Sequence, residues 1–383
     1  MRFIYFPACS VGPIEISFRK DPKFRFYNKK DSEFFHYPYL LTSAGHSYKK
    51  DNYITDINFD FKKGILFGDS GGYQIATKKL TYSDDLRKQI FNWLENNSNL
   101  AANLDIPPVV SNKKNNVNIF NEALAISVKN FKYFSDNQSG KTRFLNVLHG
   151  RDVSSWDIWY NSVKDFKFDG WCIGGISVNK SLTIQSLFYL LMKGEFDNPS
   201  NKFFHLLGTS KPDVFIYLIY FSYLVEKLRG SKAFITSDSS SPSKATAFGT
   251  FYISHDFVSF KSLQYTNKFK MDEHIHSSAK VPCSCIICKD LKIKDYYQWN
   301  TNSYTLMTLH NLNLFIDYIE NIKKIMSCEY DEMIYSYFPA KIVKNLKLIR
   351  KCFDSKNPVE LLRQQGKNFQ DTNINYSEMN EFF

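Results

Sequence analysis

The fold class predicted for this 383-residue chain is α/β, a (β/α)8 barrel with a small metal-binding subdomain near its C-terminal part. Three observations support it. Short apolar runs ending in small or polar residues alternate with segments of helical spacing, and this alternation implies a parallel sheet. The runs number close to the eight that a barrel needs. The length exceeds the ~250 residues typical of that fold. An open doubly wound sheet is the other arrangement the alternation allows.

The candidate strands are 3–6, 39–42, 65–67, 100–104, 144–148, 170–173, 203–207 and 233–236. Between them, Leu86, Ile90 and Leu94 recur at helical spacing behind Asp84 and Asp85, which suit a helix N-terminus. Leu124, Val128 and Phe131 form a second stripe. Trp156, Trp159 and Val163 form a third, behind the capping candidates Ser154 and Ser155. The longest apolar run, 214–225 (VFIYLIYFSYLV), is too short to span a bilayer comfortably and reads as a buried helix, with Pro212 near its start and Gly230 past its end. Residues 111–118 (SNKKNNVN) read as a surface loop, and the tail after Lys356 as polar and loosely packed. The domain division expected is a catalytic barrel over 1–270, a metal-binding subdomain over 271–325, and a helical segment with a polar tail over 326–383.

A hydrophobic fraction of 43% with 17% aromatics argues against disorder. Lys and Arg outnumber Asp and Glu by 49 to 38, a formal charge of +11 that favours a polyanionic partner, nucleic acid before membrane. The opening MRFIYFPACSVG lacks the pattern of a secretory signal. No GxGxxG or P-loop pattern follows any strand, so no nucleotide cofactor is expected. The 7 cysteines are an odd number, and Cys283, Cys285 and Cys288 crowd together. That is poor disulfide arithmetic and good metal arithmetic, and it points to a reducing cytoplasm.

The chemistry lies where the runs end. Strand 65–67 leads into Asp69 within GDSGGYQ, so Asp69 is expected just past a strand end. DSGG alone reads better as a tight turn, and it is the second strand-end aspartate, Asp238, and the cysteine cluster that favour a catalytic reading. Strand 100–104 leads into Asp105, 144–148 into His149 and Gly150, 170–173 into Gly174 and Gly175, and 233–236 into Asp238 within SDSSSPSK. In a barrel these groups converge on one mouth. Three carboxylates there suit chemistry at a glycosidic carbon: one attacks the anomeric centre, a second protonates the leaving group, and a third accepts from the donor edge of a purine. Glycines let backbone approach a flat base closely, and Tyr73 is available to stack on it. Cys283, Cys285 and Cys288 form C-x-C-x-x-C, and His310 follows on a helical stretch. Three thiolates and an imidazole suit structural zinc, with no open position. His274 and His276 compete with His310 for the fourth place, and Cys9, Cys172, Cys328 and Cys352 read as ordinary thiols. His46 lies near an early strand end, within possible reach of the pocket.

DSGGYQ, the strand-end GG, LGTSKP, the second aspartate before SSSPSK, and C-x-C-x-x-C followed by His occur in the order seen in tRNA-guanine transglycosylases, which this chain resembles from about Gly64 to His310. The resemblance implies a (β/α)8 barrel with a zinc subdomain and the exchange of a guanine in a polynucleotide for a free 7-deazaguanine, without ATP. Asp238 then looks like the nucleophile and Asp69 like the general acid/base. Ser70, Asp105, His149, Gly150, Gly174 and Gly175 would hold the heterocycle, Tyr73 would stack on it, and Lys244 would lie near a backbone phosphate. A flipped-out nucleotide is expected, and family members commonly pair as homodimers. LDIPP looks like the archaeal type, which implies 7-cyano-7-deazaguanine. His149–Gly150 stands where Gln-Gly is usual. Three serines follow Asp238 where the family has mainly apolar residues and an arginine, and no long RNA-binding extension follows. Taken together the chain looks closest to the compact 7-deazaguanine DNA transglycosylases of phages and bacterial modification clusters, with tRNA the alternative polymer. A non-catalytic nucleic-acid-binding subunit is a further alternative, against which the retention of both Asp69 and Asp238 counts.

Overall fold

The computed structural model describes residues 1–9, 12–50, 52–108, 117–175, 179–209, 211–257, 259–264, 279–281, 283–297, 300–328, 330–365 and 369. Eight parallel strands form the centre: β1 (Phe3–Pro7), β2 (Tyr39–Ser43), β3 (Ile65–Asp69), β4 (Leu100–Ala102), β5 (Arg143–Leu148), β6 (Gly170–Ile173), β7 (Phe203–Leu206) and β8 (Phe234–Ser239). Their ladder order, β1-β8-β7-β6-β5-β4-β3-β2, is that of a barrel. The seam between β1 and β2 is closed by side chains: the Tyr37 hydroxyl donates to the Tyr5 carbonyl at 2.9 Å, and the Phe6 and Tyr39 rings meet edge to face at 5.8 Å. Every strand is largely buried, as expected of a parallel sheet covered by helices.

The outer layer contains α1 (Pro13–Lys20), α2 (Asp84–Asn97), α3 (Val117–Asn137), α4 (Val153–Val163), α5 (Lys180–Met192) and α6 (Pro212–Arg229). After β8 come the short α7 (Ser241–Ala247), an antiparallel hairpin of β9 (Thr250–His255) and β10 (Phe260–Gln264), and the long α8 (Thr301–Met326). Helix α8 fills the ring between α6 and α1, with Phe315 against Tyr5 and Phe215 at 5.1 and 5.2 Å. Two further helices, α9 (Ala340–Phe353) and α10 (Pro358–Gln365), lie over α6 and α5. That third layer explains why the 214–225 run is apolar on all sides: α6 is covered from outside as well as from the barrel. Pro212 begins α6 and Gly230 caps it in the left-handed conformation at φ 66°. Among the described residues, no helix is long and apolar enough to cross a membrane.

Several local expectations change. Strands β3 and β8 run on through Asp69 and Asp238, which pair in register with Ser43 and Phe6, so both aspartates sit inside the ladder and not past it. Strand β4 stops at Ala102, and Asn103–Asp105 turns away, with the Asp105 N–H donating to the Asn103 carbonyl at 2.9 Å. Helix α4 is capped by Asp152, whose carboxylate accepts from the Ser155 N–H at 2.8 Å while Ser155 Oγ accepts from the Asp152 N–H. Ser155 is thus the third helical position of a capping box and Ser154 is not the cap. The tail after Lys356 is packed as far as Gln365, because Val359 and Leu362 of α10 are buried. Residues 111–116 of the lysine- and asparagine-rich stretch lie outside the described residues, and Val117 and Asn118 begin α3.

Candidate active site and metal centre

All eight strands run in the same sense, so their C-terminal ends open on one face, and polar groups there share one mouth. At the end of β3, Asp69 Oδ2 accepts from Ser43 Oγ at 2.7 Å and the carboxyl is also approached by the Gly71 N–H. Burial pushes this carboxyl up to about 6. The Ser43 and Gly71 donors oppose the rise, and the nearby charges of Asp105 and Asp238 add to it. The three strand-end carboxylates are therefore one electrostatic system.

The DSGG pair has a steric cause. Gly71 adopts φ 85°, and a Cβ there would lie 2.6 Å from the Gly45 Cα. A Cβ on Gly72 would lie 2.0 Å from the Asp105 carbonyl oxygen and 3.2 Å from its Oδ1. Only glycine lets the β3 loop rest on the β4 loop and bring Asp69 beside Asp105. Ser70 is fully buried there, and among the described residues its hydroxyl has no hydrogen-bond partner. Tyr73 is the second residue of the short helix Gly72–Ala76 and is 40% exposed.

On the opposite side, His149 Nε2 and Asp105 Oδ2 form a buried bond of 2.6 Å. The imidazole is held edge to face against Trp159 at 4.8 Å and rests on Gly174, where a Cβ would come 2.5 Å from its Cε1. Sequence reading sets His149 and Asp105 side by side along a heterocycle. The structure has them bonded to each other, which leaves Asp105 Oδ1 facing Gly72. Gly175, at φ 74°, lies at the same edge, while Gly150 packs on Trp156.

Asp238 Oδ1 accepts from the Gly208 N–H at 2.7 Å and from His205 Nε2 at 3.2 Å. Both contacts fall on one oxygen. His205 escaped the sequence reading because it sits inside the apolar run FFHLL. A histidine in an otherwise apolar strand, three residues before a strand-end glycine, was the available signal. Ser43, at the end of β2, lies just past the candidate strand 39–42 and was also missed. Lys244 on α7 is within electrostatic reach of Asp238 and Lys79; partial burial holds its ammonium below the usual lysine range, opposed by Asp238 and reinforced by Lys79. His46 bonds Gln74 at 3.0 Å, and among the described residues no contact aims it at the carboxylates.

The cysteine cluster follows β9 and β10 in the chain. Ligand atoms of Cys283, Cys285, Cys288 and His310 all lie within 4.8 Å of one another. The Sγ atoms of Cys288 and Cys285 approach His310 Nδ1 at 3.0 and 3.3 Å. His310 Nε2–H donates to the Tyr252 carbonyl at 2.7 Å, which fixes the ring and leaves Nδ1 for an ion. Phe251 stacks on the ring at 3.8 Å. The donor set fits a metal: a tetrahedron with bonds of roughly 2.3 Å has edges of about 3.8 Å, within this spread. His274 and His276 lie outside the described residues. The neighbouring Asn311 is fully buried, accepting from the Tyr252 N–H at 2.9 Å and donating to the Thr250 carbonyl at 2.8 Å and to Thr246 Oγ1 at 3.2 Å. The helix that carries His310 is thereby tied to α7 and β9, the segment immediately after Asp238. Cys9, Cys172 and Cys352 are buried free thiols, and Cys328 is half-buried.

In comparisons with known proteins, the sequence profile of the queuine tRNA-ribosyltransferase family matches residues 95–338, more than half of the chain. The matched span includes Asp105, Asp238 and the cysteine cluster and begins after Asp69. No curated protein matches the sequence significantly. Among solved structures, a protein provisionally assigned as a sugar phosphate isomerase/epimerase from Anabaena variabilis ATCC 29413 is similar, at 11% identity with a TM-score of 0.40, over 84% of this chain and 99% of that one.

Proposed function

The chain belongs to the queuine tRNA-ribosyltransferase family, and from that premise we propose that it exchanges a guanine in a polynucleotide for a free 7-deazaguanine base, with DNA as the polymer and 7-cyano-7-deazaguanine as the incoming base. The observation that carries this reading is the pairing at one mouth of a carboxyl raised to about 6, Asp69, with a carboxylate tied at a single oxygen, Asp238. These are the properties wanted of a general acid and of a nucleophile.

In the first half-reaction, Asp238 Oδ2 forms a bond to C1′. The C1′–N9 electron pair leaves with guanine, which takes the Asp69 proton. In the second, the Asp69 carboxylate removes the proton from the incoming base, whose nitrogen displaces Asp238 from C1′. Asp105 Oδ1 and the Ser70 hydroxyl supply polar contacts to the heterocycle. His149 orients Asp105 from behind, Gly174 and Gly175 offer backbone, and Tyr73 stacks. Lys244 faces a phosphate, in keeping with the formal charge of +11. Zinc is the metal that suits three thiolates and an imidazole. Four protein ligands leave it no open position, so its part is to brace the segment after Asp238.

DNA is favoured by the loop after Asp238, where Ser239 and Ser241 bond to each other at 2.9 Å in place of the family's arginine. The family's own name favours tRNA as a second reading. Labelled guanine or 7-cyano-7-deazaguanine, offered with duplex DNA, single-stranded DNA and bulk tRNA side by side, tests both. Incorporation into DNA is expected. Incorporation into tRNA alone moves the activity to that polymer, and no incorporation into any of them overturns the transglycosylase reading.

A further inference from the structure

His205 is a buried titratable side chain at the mouth that bonds directly to Asp238 and that the chemistry above leaves unused. It is fully buried on β7, with Nδ1 at 2.8 Å from Thr236 Oγ1 and Nε2 at 3.2 Å from Asp238 Oδ1. Its ring lies flat on Phe67 at 4.0 Å and 21°, with Phe6 at 6.0 Å. Thr236 is itself fully buried, and its hydroxyl proton is the natural partner of Nδ1, which makes Nε2–H the donor to the aspartate. Stacking fixes the plane of the ring and the threonine fixes its tautomer, so the direction of that N–H is set before substrate arrives.

The geometry points to His205 as a positioning residue for Asp238, holding Oδ1 so that Oδ2 attacks and so that the carboxylate leaves readily in the second half-reaction. This rests on the proposed transglycosylase reading. When Oδ2 bonds to C1′, Oδ1 becomes the carbonyl oxygen of a glycosyl ester and keeps its two donors, the Gly208 N–H and His205 Nε2–H. When the incoming nitrogen bonds to C1′, the C1′–Oδ2 pair returns to the carboxylate, and the same donors stabilise the charge that reappears. A hydrogen-bonded carboxylate is a weaker nucleophile and a better leaving group, so the donor acts mainly on release. Its loss therefore slows turnover while the covalent adduct persists.

The test compares wild type with His205→Phe, which keeps the flat ring but has no donor, and with His205→Gln, whose Nε2 can reach the same oxygen. His205→Leu replaces the Phe variant if that does not fold, as judged by circular dichroism and metal content. Removing a hydrogen bond to a charged group predicts a roughly ten- to hundredfold loss of base exchange in the Phe variant. The steady-state fraction of protein–polynucleotide adduct, read on a denaturing gel, should rise, and Gln should restore both. Exchange within twofold of wild type in the Phe variant overturns the proposal, and so does a loss in which the adduct falls in step. If wild type exchanges no base, the transglycosylase reading fails on its own account. The 13C carboxyl resonance of Asp238, assigned by its loss in Asp238→Asn, then decides: a displacement in the Phe variant that Gln reverses supports the hold on Asp238, and a stationary resonance overturns it.

Discussion

Replacing Asp69 with asparagine should make the protein more stable at pH 8 than at pH 4.5, relative to wild type, while destroying its exchange activity. Asparagine keeps the shape of the side chain and an oxygen to accept from Ser43 Oγ, so the main thing removed is the ionisation. In the native protein the carboxyl keeps its proton to about 6, whereas its ordinary value is 3.8. Between those values the native state binds more protons than the unfolded chain, so wild-type stability falls as pH rises through the window. A shift of about two units at about 1.36 kcal/mol each amounts to roughly 3 kcal/mol at full ionisation. Roughly 1 kcal/mol of that is already present at pH 4.5, which leaves a change of roughly 2 kcal/mol in the difference between the two proteins. Urea unfolding of both metal-loaded proteins at the two pH values measures it, since the pH response of the shared metal centre cancels in the difference. A stability difference that does not change with pH would refute the raised carboxyl, and the general-acid assignment would lose its physical support. Exchange by the variant should fall by about 10²–10⁴-fold, the usual contribution of a general acid.

Asp238→Asn should abolish both exchange and the covalent adduct without changing metal content, which elemental analysis of the same preparation checks. Gly174→Ala would place a Cβ 2.5 Å from His149 Cε1, push the imidazole off Asp105 and cost roughly 1–3 kcal/mol of stability as an overpacked core does. A raised KM for the free base is the functional sign, and unaltered stability and KM would show that His149 has room to move. Wild type should carry about one zinc ion per chain, and Cys288→Ser should lose it together with the thermal stability of the β9–β10 region, as read by metal analysis and hydrogen exchange. Polynucleotide affinity should fall steeply with salt on a log–log plot if phosphate contacts dominate, and a flat response would count against nucleic acid as substrate.

The barrel was legible because its physics is local. Each strand is a short apolar run ended by small or polar residues, and those runs located all eight within a few residues. The cysteine cluster was legible for a related reason: close spacing of soft ligands has few other uses. Boundaries were less so. Strands β3 and β8 extend to include their aspartates because neighbouring strands offer backbone partners there, a condition no single run reveals. The cap of α4 went to Asp152 because its carboxylate, not the following serines, reaches the first turn. The tail looked loose because its few apolar residues find a surface only when α5 is already folded.

By itself the sequence determined an alternating parallel fold, the three strand-end aspartates and the likeness to a guanine-exchanging family, since these follow from period, spacing and residue type. The pairing of side chains across strands was decided by tertiary structure alone. Closure of the ring put Asp105 on His149, Ser43 on Asp69 and His205 beneath Asp238. Those pairs are 44, 26 and 33 residues apart in the chain, and their energies depend on burial and direction. Both are properties of the assembled barrel, because a carboxylate is desolvated and a donor is aimed only once the strands on either side are in place.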